Sequence, residues 1–140
     1  MSLFVLDASV ALAWCFEDEG DAYSDKVLHT LRTSKALVPS LWFLEIANVL
    51  LGGERKKRIT PADSLYFTSL LKGLPIQVAE APHSFDDILN VGRSYTLSSY
   101  DASYLHLAMK EGLPLATRDA ALIKATKAAG VSLYACPISE

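Results

Sequence analysis

Soft metal ligands are scarce in this chain. Its two cysteines, Cys15 and Cys136, lie far apart, and its three histidines, His29, His83 and His106, are scattered without ligand spacing. A zinc site built on close Cys and His pairs is therefore not expected. The cysteines read as reduced thiols of a cytosolic protein, and the histidines as surface or satisfied helix residues. No basic stretch opens the chain, and Asp7 arrives before an apolar signal segment forms. No uncharged apolar run approaches the ~20 residues of a membrane span. The expectation is a cytoplasmic protein with no membrane partner. Positive charge is also short. A formal net charge of -3 argues against nucleic-acid binding through bulk charge, although a bound cation would neutralise part of the acid excess. Glu54-Arg55-Lys56-Lys57-Arg58 is the one basic cluster.

What is present is a full complement of core formers. Hydrophobic residues make up 51% of the chain and charged ones 21%, and 140 residues suffice for one domain, taken as 1–140, around one core. Short apolar runs alternate with helical patterns. Leu3–Leu6 and Ala36–Val38 read as buried strands, with further strands at Pro75–Ala79, Leu115-Ala116 and Val131–Ala135. Helices are predicted over Ser9–Phe16 and Ala22–Leu31, with the acidic stretch Glu17–Asp21 as a loop between them. A third helix is capped by Ser40, carries Glu45 and runs out in Gly52-Gly53. Thr60-Pro61-Ala62-Asp63 is a strong helix start, ending near Gly73. The remaining helices are Ser84–Tyr95, Asp101–Lys110 (capped by Ser98 or Ser99, with Gly112 at its end) and Asp119–Ala129 before Gly130. Strands alternating with helices predict an α/β fold: a mostly parallel central sheet covered by helices on both faces.

Four carboxylates stand where the chain otherwise reads as core. Asp7 ends the run Leu3-Phe4-Val5-Leu6, and Glu45 interrupts Leu41-Trp42-Phe43-Leu44 and Ile46-Ala47. Asp101 opens Ala102–Ala108, and Asp119 follows Leu115-Ala116-Thr117-Arg118. A buried carboxylate needs a cation or a donor, or it takes up a proton. Each has a structural reading as well. Asp119 suits a helix N-cap, Asp101 a first helical turn, and Asp7 an Asx-turn. Glu45 fits none of these. Asn48 shares its helical face, and Leu41 and Val49 flank it, which points to a lined cleft. In a parallel sheet, groups at strand ends and helix starts gather at the carboxyl edge, so the four acids are expected to converge there.

These residues carry a resemblance. Val5-Leu6-Asp7-Ala8-Ser9, then Val38-Pro39-Ser40 leading to Glu45-Ile46-Ala47-Asn48-Val49-Leu50, begin the pattern. Tyr100-Asp101-Ala102-Ser103-Tyr104-Leu105-His106-Leu107-Ala108 and Gly112-Leu113-Pro114-Leu115-Ala116-Thr117-Arg118-Asp119, with Leu122 and Gly130 after it, complete it. Each piece is short, but their order and total length resemble the PIN-domain ribonucleases, especially the VapC toxins of toxin–antitoxin pairs. The resemblance implies that Asp7, Glu45, Asp101 and Asp119 form a catalytic acidic quartet, with Ser9 and Thr117 as polar neighbours. It also implies an endoribonuclease toxin with an RNA substrate, a small cognate antitoxin and a homodimeric state.

An all-carboxylate set favours a hard cation, Mg²⁺ or Mn²⁺, over zinc. Asp7 and Asp101, then Asp119, are the expected metal ligands, while Glu45 acts directly, through a water, or as a base. The basic cluster and Arg118 are candidate RNA backbone contacts, although a solvated helix end explains the cluster equally. Trp14, Phe16, Trp42, Phe43, Tyr66, Phe67 and Tyr104 lie in apolar helical patterns and read as core or dimer packing. Other folds with strand-end acids fit less well. A phosphoacceptor receiver needs an early acidic pair, and a haloacid-dehalogenase-type phosphatase needs Asp-x-Asp where this chain has Asp7-Ala8-Ser9. The alternative is a catalytically silent PIN-like module that binds RNA or protein, against which the complete acidic set argues.

Overall fold

The computed structural model of the protein describes residues 2–16, 20–80 and 83–135. Its elements run β1 (Leu3–Leu6), α1 (Ala8–Cys15), α2 (Ala22–Thr30), β2 (Lys35–Val38), α3 (Leu41–Arg55) and α4 (Pro61–Lys72). They continue with β3 (Ile76–Val78), α5 (Phe85–Tyr95), α6 (Ser99–Glu111), β4 (Leu115–Ala116) and α7 (Ala120–Ala128). The strands form one parallel sheet in the order β3-β2-β1-β4. Consecutive strand residues face opposite sides, and Phe4, Val5 and Leu6 are all fully enclosed. Both faces of β1 are therefore covered, as the continuous apolar run predicts.

The strand order has a functional consequence. From β1 the chain builds outward through β2 and β3, then returns to place β4 on the other side of β1. The crevice between β1 and β4 is thus a topological switch point, the place where open α/β sheets bind ligands. Val5 pairs with Leu115 and Leu6 with Ala116, and the Asp7 amide donates to the Ala116 carbonyl at 3.0 Å. The residues just past each strand, Asp7 and Thr117, consequently stand side by side.

Several boundaries differ from the sequence reading. Helix α3 does not stop at Gly52-Gly53 but continues to Arg55. Gly53 is used for close packing: a Cβ there would come within 3.2 Å of Ile59 and 3.4 Å of Phe16. Ser40 occupies the N-cap position in a helical conformation, and its side chain makes no capping bond. The Trp42 amide bonds the Pro39 carbonyl instead, at 3.0 Å. Val131–Ala135 is not a full strand; it contributes a single parallel bridge, Leu115 to Leu133. Ser98, not Ser99, caps α6, accepting from the Asp101 amide at 3.1 Å, and Gly112 ends it in the left-handed region at φ 65. Of the predicted acidic loop, residues 17–19 lie outside the described residues, as does Cys136. No described helix is long and apolar enough to cross a membrane.

The start of α4 is as predicted. Thr60 accepts from the Asp63 amide at 3.1 Å while Asp63 accepts from the Thr60 amide at 2.9 Å, a reciprocal capping box. Thr60→Ala is expected to destabilise the protein by about 1 kcal/mol. Urea denaturation with an unchanged m-value checks it, and a loss below a few tenths would show the box to be frayed in solution.

A candidate active site at the carboxyl edge of the sheet

The four predicted acids all line one cavity of about 750 Å³, together with Ser9, Leu12, Leu41, Leu44, Asn48 and Tyr100. Among the described residues no lysine or arginine lines it. Repulsion couples Asp7 to Asp119, Glu45 to Asp7 and to Asp101, and Asp101 to Asp7 and to Asp119. The acids thus form a closed ring, although they come from four separate segments.

Asp7 is the most enclosed of them, at 4% exposure. Its Oδ2 accepts the hydroxyls of Ser9 and Thr117, both at 2.7 Å. Those hydroxyls are themselves held: the Arg118 amide donates to Ser9 Oγ at 3.1 Å and the Asp119 amide to Thr117 Oγ1 at 3.0 Å. Burial pushes the Asp7 carboxyl above its ordinary range despite these donors, with Asp119 adding a smaller upward push. Asp119 is the N-cap of α7, accepting from the Leu122 amide at 2.9 Å. Capping and facing the cavity coexist in this residue, so the two readings of it were not exclusive.

Asp101, in the first turn of α6, is pushed up to about 6 by burial and by the charges of Asp119 and Asp7. Glu45 is also raised, chiefly by burial and then by Asp7 and Asp101, against the lowering effect of a hydrogen bond from Tyr104. That bond, Tyr104 hydroxyl to Glu45 Oε1 at 2.5 Å, joins α6 to α3. Sequence reading placed Tyr104 with the packing aromatics. Its spacing three residues after Asp101 was the available signal, but its partner lies 59 positions away.

The basic candidates are placed differently. Arg118 lines a separate cavity with Asp21, to whose Oδ2 its Nε donates at 2.6 Å. It is committed there rather than to the acidic cleft. Asp21 is held low: the effect of burial is outweighed by donors from Ser24 and by the Arg118 guanidinium. Arg55, Lys56 and Lys57 are exposed at the end of α3, and Arg58 lies over the Phe16 ring at 4.5 Å. Ten residues of helix separate Arg55 from Glu45, or about 15 Å. Of the histidines, His83 and His106 satisfy each other through Nδ1 atoms 2.9 Å apart, with Asp87 3.5 Å from His106 Nε2.

The donor set suits a hard cation in kind, since every acidic group on the cavity offers oxygen. Among the described residues no three His, Cys, Asp or Glu side chains stand at full ligand spacing. Mg²⁺ keeps several of its waters and takes one or two carboxylates directly, so it does not require three side chains at that spacing.

Comparison with known proteins agrees with the fold. Among solved structures, the chain is similar to PAE2754 from Pyrobaculum aerophilum, at 30% identity and a TM-score of 0.69, over 90% of this chain and 87% of that one. It is similar to VapBC2 from Rickettsia felis, solved bound to a promoter DNA fragment, at 12% identity and TM-score 0.62 over 94% and 97% of the two chains. A toxin–antitoxin complex from Klebsiella pneumoniae matches at 17% identity and TM-score 0.56, over 83% and 86%. At these last two identities the likeness is one of fold alone. No curated protein gives a significant match. A family model described as the PIN domain matches residues 4–128. With a match that runs through every strand of the sheet and takes in all four acids, the chain belongs to the PIN domain family.

Proposed function

We propose that this protein is a metal-dependent endoribonuclease and the toxin of a toxin–antitoxin pair. The observation that carries this reading is the ring of four carboxylates in one cavity that no basic side chain lines among the described residues. Such a ring is unfavourable by itself and becomes favourable around a divalent cation. Membership of the PIN family, a family of nucleases, and structural likeness to toxin–antitoxin proteins give it direction.

Asp7, Asp101 and Asp119 are the residues assigned to hold Mg²⁺ or Mn²⁺. When bound, the cation lowers the pKa of its water and offsets charge on the scissile phosphate. Ser9 and Thr117 keep the Asp7 carboxylate in one orientation by donating to Oδ2. Asp119 is steadied by the Leu122 amide at the start of α7. Glu45, with its raised affinity for protons, orients the attacking water and receives its proton. Leu12, Leu41 and Leu44 supply an apolar wall of the cavity. Arg55, Lys56 and Lys57 are suited to the RNA backbone flanking the cut, since they are exposed at the end of the helix that carries Glu45.

Two partners complete the reading. An antitoxin segment with an arginine fits the cleft, because the planar guanidinium can bind two carboxylate oxygens at once. A homodimer accounts for exposed apolar side chains such as Leu65, Tyr66 and Leu70 on α4.

The products test the mechanism. Attack by water leaves a 5′-phosphate and a 3′-hydroxyl, whereas attack by the 2′-hydroxyl leaves a 2′,3′-cyclic phosphate. The expected primary products are 5′-phosphorylated, and Glu45→Gln is expected to lower kcat about 100-fold or more while the protein stays folded. Cyclic phosphate ends, or a Glu45→Gln variant cleaving at the wild-type rate, would sink this assignment.

A further inference from the structure

Two of the four acid-bearing segments are joined through one phenolic oxygen. Tyr104 is fully enclosed, at 0% exposure, with its ring in the main core. Its hydroxyl donates to Glu45 Oε1 on α3 at 2.5 Å. Tyr104 itself follows Asp101 by three residues on α6, so the two share a helical face. One hydrogen bond therefore ties together the segments that carry Glu45 and Asp101.

Packing alone does not call for that hydroxyl. A phenylalanine ring fills nearly the same volume, and an enclosed O–H is unfavourable unless it is partnered. Glu45 gives the hydroxyl a purpose. Its side chain is long and only half-buried, and it faces the charges of Asp7 and Asp101. Repulsion from those acids drives the carboxylate outward, toward solvent. The Tyr104 donor, rigid because its ring is locked in the core, opposes that drift and holds Oε1 at the edge of the ring.

We infer that Tyr104 is a positioning residue, whose buried hydroxyl fixes the Glu45 carboxylate beside Asp7 and Asp101. It touches no reacting atom and acts through Glu45. The inference rests on the nuclease reading for its catalytic consequence, but its geometric content stands apart from that reading.

Tyr104→Phe removes only the hydroxyl. In the wild-type background it is expected to lower kcat on RNA about 10–100-fold, the usual cost of losing a supporting partner, with KM changed less than about twofold. Made in Glu45→Gln, it is expected to bring no further loss, because its route of action is already cut. Crystal structures of wild type and Tyr104→Phe are expected to show the Glu45 carboxylate displaced in the variant. An unchanged kcat in Tyr104→Phe would overturn the inference. So would an equal loss in both backgrounds, which marks a general effect on the fold, or a Glu45 carboxylate that stays in place. If the wild type cleaves no RNA with any divalent cation, the nuclease reading fails. The two crystal structures then still decide whether Tyr104 positions Glu45.

Discussion

Asp7→Asn is expected to cut RNA cleavage by about 10³-fold or more while leaving the protein folded and its melting temperature no lower than that of the metal-free wild type. The activity loss follows from the position of Asp7 at the centre of the site. It is coupled to all three other acids and is the only one enclosed on every side. The folding expectation follows from its partners. Asparagine is nearly isosteric, and its carbonyl oxygen can still accept the hydroxyls of Ser9 and Thr117. It also removes a charge that the fold disfavours. The carboxyl of Asp7 is raised in the folded state, so its ionisation lowers stability as pH climbs above the unfolded value near 3.8. Asparagine has no such ionisation. Cleavage of a labelled RNA and thermal melting, measured side by side, check both halves. Induction of the wild type is also expected to arrest growth where Asp7→Asn does not, and co-expression of the cognate antitoxin is expected to relieve the arrest. A variant that cleaves within tenfold of wild type, or that arrests growth equally, would reject the proposed site.

The second large effect concerns metal and pH together. In metal-free buffer the melting temperature is expected to fall as pH rises from about 4 to about 7, and Mg²⁺ or Mn²⁺ is expected to reverse the fall. Asp101 holds its proton up to about 6, against the ordinary 3.8, through burial and the charges of Asp119 and Asp7. Between those values the folded chain binds more protons than the unfolded chain, so raising pH favours unfolding. The contribution of Asp101 is fully present below 3.8 and is lost as pH passes through about 6. Glu45 and Asp7 are raised as well and act in the same direction. Asp101 is only half-buried, so water screens its share and the drop it contributes is a few degrees.

A cation at 100 times its Kd adds about 2.7 kcal/mol, or roughly 8 °C for a domain of this size. Because it competes with protons for the same oxygens, its effect is expected to be larger at pH 7.5 than at pH 5. Asp101→Asn is expected to remove most of the metal response and flatten the pH dependence. Thermal melting over a pH and metal grid, with EDTA as the blank, measures it. A wild-type enzyme fully active in EDTA, or a metal response unchanged in Asp101→Asn, would remove the metal from the mechanism.

How much of this was legible in the sequence can be argued from particular residues. Leu3–Leu6 and Ala36–Val38 were readable because a strand buried on both faces needs an unbroken apolar run. The start of α4 was readable because its signals are local: a Thr cap, a Pro and an acid within four positions. The end of α3 was not. Glycines usually weaken a helix, by about 1 kcal/mol each, but Gly53 lets Ile59 and Phe16 approach the helix closely, and that packing outweighs the local preference. The bridge at Leu133 also falls short of the strand its apolar pattern suggested, since β4, its partner, is only two residues long.

The site divides in the same way. Residue chemistry by itself determined that the chain's acids in apolar settings are Asp7, Glu45, Asp101 and Asp119, and that their oxygens suit a hard cation rather than zinc. Tertiary structure alone decided that the four share one cavity, that Thr117 and Ser9 both hold Asp7 Oδ2, and that Arg118 turns to Asp21. It alone gave Tyr104 a partner 59 residues away. The physical reason is range. Hydrophobic period and capping chemistry report on neighbours within one or two turns, whereas β4 pairing beside β1 joins residues some 110 positions apart, as Thr117 and Asp7 show.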